Sequence, residues 1–320
     1  MDKLVSVVVV TCGKNDYFIS CLQSVNRQTH PFLDIILIDN SFDPAVSRRA
    51  QELCPSLRVH ASSTNLFYCG SMNQGIAMSR GEFVLCLNDD VVLDDHFIGE
   101  ALGGFLFSGD IGMVSGKVLR QDKKTVDSTG LFLSVWRTAM ERGYGRPDHG
   151  QFGQEEVVFG VGGAVAFYRK KMLDQVKEAA GWFDPDFRIF NEDLDLAWRA
   201  NRNGWRAYYI PSALAYHARG GSVRVDPGSA RSFARQYLSD DLHADLIKNR
   251  YLAIIKNETF FGFVLHFVPM LVHDLCAWGY VVVFRPRVIG IFLARCHYLL
   301  SALRRRGASG SRATPGQRNT

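Results

Sequence analysis

A layered α/β fold with a mainly parallel sheet is the architecture this sequence predicts, and three observations predict it. Short apolar runs alternate with helical stretches through the first third of the chain. Residues 5–10, but for Ser6, and 83–87 are apolar, as strands covered on both faces are. Each of these runs ends in polar residues, Thr11-Cys12-Gly13 after the first and Asn88-Asp89-Asp90 after the second.

In order, residues 5–10 form a β-branched first strand, and the segment from Thr11 to Asn15 turns the chain into a helix over residues 17–28. A second strand at 35–38 ends in Asp39-Asn40-Ser41, a helix follows at 44–53, and a third strand lies at 58–60. The glycine-containing loop 65–71 leads to a helix at 72–79 and then to the fourth strand, which closes at Asn88. Residues 111–114 are strand-like and are followed by polar loops. Residues 157–167 are apolar but hold Gly160, Gly162 and Gly163. Glycine weakens a strand unless a ligand or another backbone comes close, so packing and substrate approach are both open explanations. A helix is expected after Asn191 as N-cap, with Leu194, Ala197 and Trp198 as its buried stripe and Asp195 and Arg199 paired at i,i+4. A strand follows at 207–210.

Three polar elements carry the chemistry. Asp89 and Asp90 stand at the mouth of a strand, where open α/β sheets bind ligands. Adjacent carboxylates repel unless a cation stands between them and a ligand, and a hard dication holding a diphosphate does this. A solvated Asp-Asp turn capping the next helix is the competing reading. The second element crowds Glu192, Asp193 and Asp195 beside Phe187, Ile189 and Phe190, where apolar surroundings raise a carboxylate's pKa and make a usable general base. A capped amphipathic helix accounts for Asp195 and Arg199 but not for that crowding. The third element is His217, followed by Gly220, Gly221 and Ser222; beside a carboxylate site an imidazole is a common metal ligand.

Composition excludes several classes. The chain has 320 residues, 47% hydrophobic and 22% charged, enough for one large domain and an appendage. Its seven cysteines are scattered without a Cys-x-x-Cys pair, which points to a reducing, cytosolic setting, and no signal peptide is expected. No Gly-x-Gly-x-x-Gly follows the first strand and no P-loop motif occurs, so neither a dinucleotide oxidoreductase nor a P-loop NTPase is supported. The last acidic residue is Asp274; after it come eight arginines and no lysine, which suits an anionic surface. Residues 259–284 are long and apolar enough to span a bilayer, but His266, His273 and Asp274 interrupt them. Helices lying in the membrane interface are therefore expected at 259–284 and 288–303, with Arg304-Arg305-Arg306 at headgroups; a buried oligomer interface is the alternative.

The order and spacing of these motifs resemble the family 2 nucleotide-sugar glycosyltransferases of the GT-A fold, and among them bacterial rhamnosyltransferases of cell-surface polysaccharide synthesis. The resemblance covers residues 4–225 and rests on the runs 7–11, 38–41, 65–75, 87–90 and 191–195, with His217 and Ser222. It implies a GT-A catalytic domain over 1–225, a membrane-associating helical region over 226–306 and a disordered tail over 307–320. Thr11 and Asp39 would line the nucleoside pocket, and Asn65, Gly70 and Asn73 the loop that closes over the nucleotide. Asn88 and Asp89 would serve the diphosphate, Asp90 and His217 the Mg²⁺ or Mn²⁺, Asp193 would be the general base and Glu192 its supporting acid. Cys12-Gly13 departs from the aromatic or Asn that many relatives carry there, which leaves the nucleotide base open.

The implied reaction is inverting transfer of a sugar, rhamnose among the candidates, from a dTDP- or UDP-sugar to a glycan hydroxyl. One base without a covalent nucleophile predicts in-line displacement. The implied acceptor is carried on a polyprenyl diphosphate at the cytoplasmic face of the bacterial inner membrane, with the enzyme peripheral or monotopic, able to self-associate, and without a nucleic-acid partner. A non-catalytic glycan-binding scaffold of the same fold is the alternative; the intact carboxylate motifs speak against it.

Overall fold

The computed structural model describes residues 3–219 and 238–310. The first part of the chain forms β1 (Val5–Thr11), α1 (Tyr17–Asn26), β2 (Leu33–Asp39), α2 (Pro44–Leu53), β3 (Arg58–Ala61), α3 (Phe67–Met78) and β4 (Phe83–Asn88). There follow β5 (Val91–Leu93), α4 (Phe97–Gly104), β6 (Ile111–Arg120), β7 (Val126–Ser128), β8 (Leu131–Leu133), β9 (Ala139–Glu141), β10 (Glu156–Val158) and β11 (Val165–Arg169). Then come α5 (Lys170–Val176), α6 (Glu192–Arg202), β12 (Arg206–His217), α7 (Asp240–Asn257), α8 (Phe260–Phe284) and α9 (Arg287–Gly310).

The chain divides into two compact units, one of residues 1–134 with 139–238 and one of residues 135–138 with 239–320. In the first, strands lie in the order β10-β12-β6-β11-β4-β1-β2-β3. β1 is parallel to both β2 and β4, and β2 to β3. β11 runs antiparallel between β4 and β6, and β12 is parallel to β6, so the sheet is mixed and mainly parallel as expected. The chain steps outward from β1 through β2 to β3, then returns to the other side of β1 as β4. The crevice at the carboxyl ends of β1 and β4 is therefore the topological switch point, the place where such sheets bind ligands. Val7, Val8, Val9, Leu85, Cys86 and Leu87 are fully buried, so both central strands are covered on both faces.

Two elements differ from expectation for local reasons. The loop expected at 65–71 is mostly helix, because α3 starts at Phe67, where the Asn65 side chain accepts the Phe67 amide at 2.9 Å and closes a turn. The strand expected at 207–210 runs on to His217. Pro211 cannot donate to a ladder, and Pro211, Ser212 and Ala213 stand opposite no residue of β6 before pairing resumes at Leu214↔Lys117. Gly116 makes room for this bulge, since a Cβ there would lie 2.2 Å from the Ala213 carbonyl oxygen. Past the bulge, β12 also pairs with β5, setting His217 opposite Val91.

The second unit is helical. Ser239 caps α7 and Thr259 caps α8, each accepting an amide of the first turn. Ala244, Ile247, Val281 and Val288 form its apolar centre, with Asp245 and Lys248 also buried and Arg295 paired to Asp245 at 2.9 Å. Much of the outer surface of α8 is apolar: Phe260, Phe261, Leu265, Val268, Leu275 and Phe284 are exposed. Asp274, counted above as an interruption, is paired with Arg250 at 2.5 Å, and His266 bonds the Gly262 carbonyl at 2.9 Å. The backbone of α9 is helical to Gly310, four residues past the expected boundary at 306; residues 311–320 and the boundary at 225 lie outside the described residues.

Candidate active site

The switch point is closed by one hydrogen bond. Thr11, last in β1, donates its hydroxyl to Asp89 at 2.6 Å, and accepts the Gly13 amide at 2.9 Å. Burial raises the Asp89 carboxyl to about 6; the Thr11 bond opposes this and the neighbouring Asp90 charge adds to it. On the β2 side, the buried Asp39 accepts the Ser41 amide at 2.8 Å and the Ser47 hydroxyl at 2.5 Å.

Asp90 and His217 come together because the register of β12 demands it. The Asp90 carbonyl accepts the Ala218 amide at 2.9 Å, and His217 Nε2 lies 3.2 Å from Asp90 Oδ1. The other ring nitrogen, Nδ1, is 2.8 Å from Asp127 Oδ2. Asp127 also accepts from Arg219 Nε, and Arg120 Nε lies 3.8 Å from it. Burial disfavours the imidazolium, but hydrogen bonds and charges of Asp127 and Asp90 outweigh it and push His217 up to about 9. Burial would likewise raise Asp127, yet the His217 bond and the Arg219 charge hold it well below the usual carboxylate range.

Among the described residues no group of three His, Cys, Asp or Glu side chains could hold a metal ion by itself. The donors present nevertheless fit a divalent ion that takes its remaining ligands from diphosphate and water. Asp90 would offer an oxygen and His217 an imidazole once the Nε2 proton that faces Asp90 is displaced, while Asp127 orients the ring from behind, the arrangement that metal-binding histidines show.

The second carboxylate cluster is joined to the first through backbone. The Asn88 amide donates to the Ala164 carbonyl at 3.0 Å, and the adjacent Gly163 amide donates to Asp193 Oδ2, also at 3.0 Å. Asp193 Oδ1 accepts the Leu194 amide at 2.7 Å. Asn191 does not cap α6 with its side chain as expected; it sits at φ 62, after Arg188 and Phe190 at φ 64 and 75, so three non-glycine residues in left-handed backbone deliver the pair. Glu192 is buried, and its Oε2 has no hydrogen-bond partner among the described residues. Burial first, then the Asp193 charge, keep the Glu192 proton on; burial also raises Asp193, but two backbone amides favour its anion. Of this pair the backbone amides favour charge on Asp193.

Other expected residues have local tasks. Asp195 and Arg199 pair at 3.0 Å as expected, but both are buried and Arg199 also bonds the Trp182 carbonyl, so they brace the fold. Asn73 accepts the Trp182 and Phe183 amides at 2.9 Å and donates to the Phe183 carbonyl at 2.7 Å, which ties α3 to the loop before α6. Gly70 lies inside α3, and Ser222 lies outside the described residues. A Cβ on Gly160 would lie 2.5 Å from the Ala197 Cβ, and one on Gly162 2.5 Å from Glu141 Oε1, so packing explains the first and a carboxyl group the second. Asp127 and Glu141 escaped sequence reasoning: both sit in polar stretches without a motif, and Asp127 meets His217 across 90 residues of chain.

Comparison with known proteins adds what geometry alone does not. The family model described as "Glycosyltransferase like family 2" matches residues 2–237. An N-acetylglucosaminyl-diphospho-decaprenol L-rhamnosyltransferase of Mycobacterium tuberculosis is 25% identical over 251 residues, covering 72% of this chain and 80% of its own. Among solved structures, the mannosyltransferase PcManGT from Pyrobaculum calidifontis in complex with GDP-Man and Mn²⁺ superposes with a TM-score of 0.54 at 16% identity, covering 98% of this chain and 81% of that one. S. aureus TarS in complex with UDP-GlcNAc gives 0.59 at 14% identity over 95% and 83% of the two chains. These likenesses identify the fold as GT-A.

Proposed function

This chain belongs to the glycosyltransferase-like family 2 and is a sugar-transferring enzyme, and on that premise we propose an inverting, metal-dependent transfer. The donor is a dTDP- or UDP-sugar with rhamnose as the candidate sugar, and the acceptor is a hydroxyl of a glycan on a polyprenyl diphosphate in bacterial polysaccharide synthesis. The M. tuberculosis relative, named for such an acceptor, supports this choice.

One observation carries the reading: both carboxylate clusters converge on the carboxyl end of β4, joined by Asn88, Ala164 and Gly163. Thr11 and Asp39, at the ends of β1 and β2, flank the pocket for the nucleoside, and Asn88 and Asp89 face the diphosphate. Asp90 and His217 would hold Mg²⁺ or Mn²⁺, which when bound neutralises the charge of the departing diphosphate. Asp193, ionised and aimed by two amides, accepts the proton of the acceptor hydroxyl as it attacks. Glu192 keeps its proton, so the carboxylate beside it is not opposed by a second charge.

The helical unit suits a lipid-linked acceptor. The outer surface of α8 is apolar, while Asp274 is paired within the unit and Arg304, Arg305 and Arg306 are exposed. This favours attachment to the anionic cytoplasmic leaflet over a clean span. Self-association through the same apolar surface is the second outcome to watch.

The test is a donor panel. Thermal shift with dTDP- and UDP-sugars and Mn²⁺ selects the donor, since a ligand that binds the native state raises its stability. Transfer is then followed onto a polyprenyl-diphosphate N-acetylglucosamine, with the product anomer assigned by NMR. Retention of configuration, or unimpaired transfer by Asp193→Asn, overturns the mechanism.

A further inference from the structure

The two glycines before β11 are clasped by three carboxyl groups. A Cβ built on Gly163 would lie 3.3 Å from Glu192 Oε1, 3.4 Å from the Tyr68 hydroxyl and 3.6 Å from Asp193 Oδ2. On the next residue, a Cβ on Gly162 would lie 2.5 Å from Glu141 Oε1 and 3.2 Å from its Cδ. Glu141 is delivered there by a small hairpin: it ends β9 and pairs with Leu131 of β8, and Leu131 exchanges both backbone hydrogen bonds with Gly160. The Ser128 hydroxyl donates to Glu141 Oε2 and fixes the carboxyl end. Glu141 is thus held from one side by Ser128 and seated against Gly162 on the other, one residue from the amide that holds Asp193.

Resting on the reading of Asp193 as the base, we propose that Glu141 is a positioning residue of this site: clasped between Ser128 and Gly162, its carboxyl group sets the charge at the Gly162–Gly163 step that holds Asp193. Burial and the Asp193 charge push Glu141 up to about 8, against the pull of Ser128 and Arg219, while Asp127 adds to the rise. Burial thus favours the proton on Glu141 and on Glu192, while the backbone amides favour the Asp193 anion. Above that value a second anion stands beside the base. Among the described residues, Asp193 and Asp127 are the acidic groups that act most strongly on Glu141, and Arg219 the basic one.

The experiment is a pH profile of kcat/KM on the full chain. It follows nucleoside diphosphate release from the donor chosen by the thermal-shift panel at saturating Mn²⁺. The wild type loses activity as pH rises through about 8, roughly tenfold between pH 7 and 9, the scale of one added carboxylate charge nearby. Glu141→Gln, isosteric with the protonated acid, lacks that fall; Glu141→Asp keeps it; Ser128→Ala, which removes a bond that favours the anion, moves it to higher pH. Infrared difference spectra between pH 7 and 9, which need no turnover, lose a protonated-carboxyl band in the wild type and none in Glu141→Gln. Identical profiles or identical spectra for wild type and Glu141→Gln overturn the proposal. An active Asp193→Asn overturns the base assignment instead, and leaves the Glu141 band to be read on its own.

Discussion

Gly160 and Gly162 make a matched pair, because the same substitution meets an atom at the same 2.5 Å in both and should have opposite consequences. Carbon atoms pack best at about 3.5–4.0 Å, so an added methyl overlaps by roughly 1 Å at either place. At Gly160 the obstacle is the Cβ of Ala197, which has no torsion to yield and belongs to a buried helix. Overpacking of this kind costs about 1–3 kcal/mol, which for a unit of this size lowers Tm by roughly 2–12 °C. At Gly162 the obstacle is the far end of a glutamate, which turns away at a cost of about 0.5–1.5 kcal/mol or less. Gly160→Ala should lose stability and keep its pH profile. Gly162→Ala should stay near wild-type stability and lose activity, because Glu141 has been displaced from Asp193. Urea unfolding of both variants, with donor turnover at pH 7 and 9, reads the contrast. Equal losses of stability in the two, or a Gly160→Ala that unfolds like wild type, refute the packing argument.

Further outcomes follow from the same geometry. Asp193→Asn should lower transfer by about 10²–10⁴-fold, the usual contribution of a positioned base, while donor affinity measured by calorimetry stays within twofold. His217→Ala should remove the Mn²⁺-dependent part of donor binding, and Asp127→Asn should weaken it by about 10–100-fold through the imidazole it orients; unchanged Mn²⁺ titrations would exclude both residues from the metal site. Because Glu141 is raised from its ordinary value to about 8, its proton favours the folded state, and that contribution is complete below about 4.5 and lost as pH rises to about 8. Glu141→Gln should therefore gain urea resistance relative to wild type between pH 5 and 8 as pH rises, and parallel stability curves would contradict this. Replacing Phe260, Phe261 and Leu265 by serine should abolish flotation with anionic vesicles while leaving the catalytic unit's unfolding unchanged; flotation that persists points to another anchor.

Much of the site was legible because its chemistry is local. Residues 88–90 and 192–193 are adjacent in sequence, and strand ends are readable from where an apolar run meets polar residues. His217 was legible as a candidate only once a carboxylate site stood elsewhere in the chain. Asp127, Glu141 and Arg219 were not legible, since each acquires its role from a partner far away in sequence, through a hairpin and a bulged strand that leave no periodic trace. Asn73 is placed in a nucleotide-closing loop by resemblance, and the fold adds bonds from its amide to Trp182 and Phe183, a contact no local pattern announces. The three glycines at 160, 162 and 163 could be read as packing or as approach; in the fold Gly160 faces Ala197, while Gly162 and Gly163 face carboxyl groups.

The bulge at Pro211, Ser212 and Ala213 has a consequence for how this chain tolerates change. Side chains alternate faces along a strand, so the number of residues between a fixed start and His217 decides which face the imidazole takes. The bulge absorbs an odd number of unpaired residues, which makes it a counting device as well as a bend. Adding or removing one residue there would leave the flanking ladders free to form, yet present Tyr216 or Ala218 where Asp90 now meets a ring nitrogen. A length change in a stretch that touches no substrate would thus silence the site, and a change of two would return the imidazole to the right face but about 7 Å along the strand from Asp90.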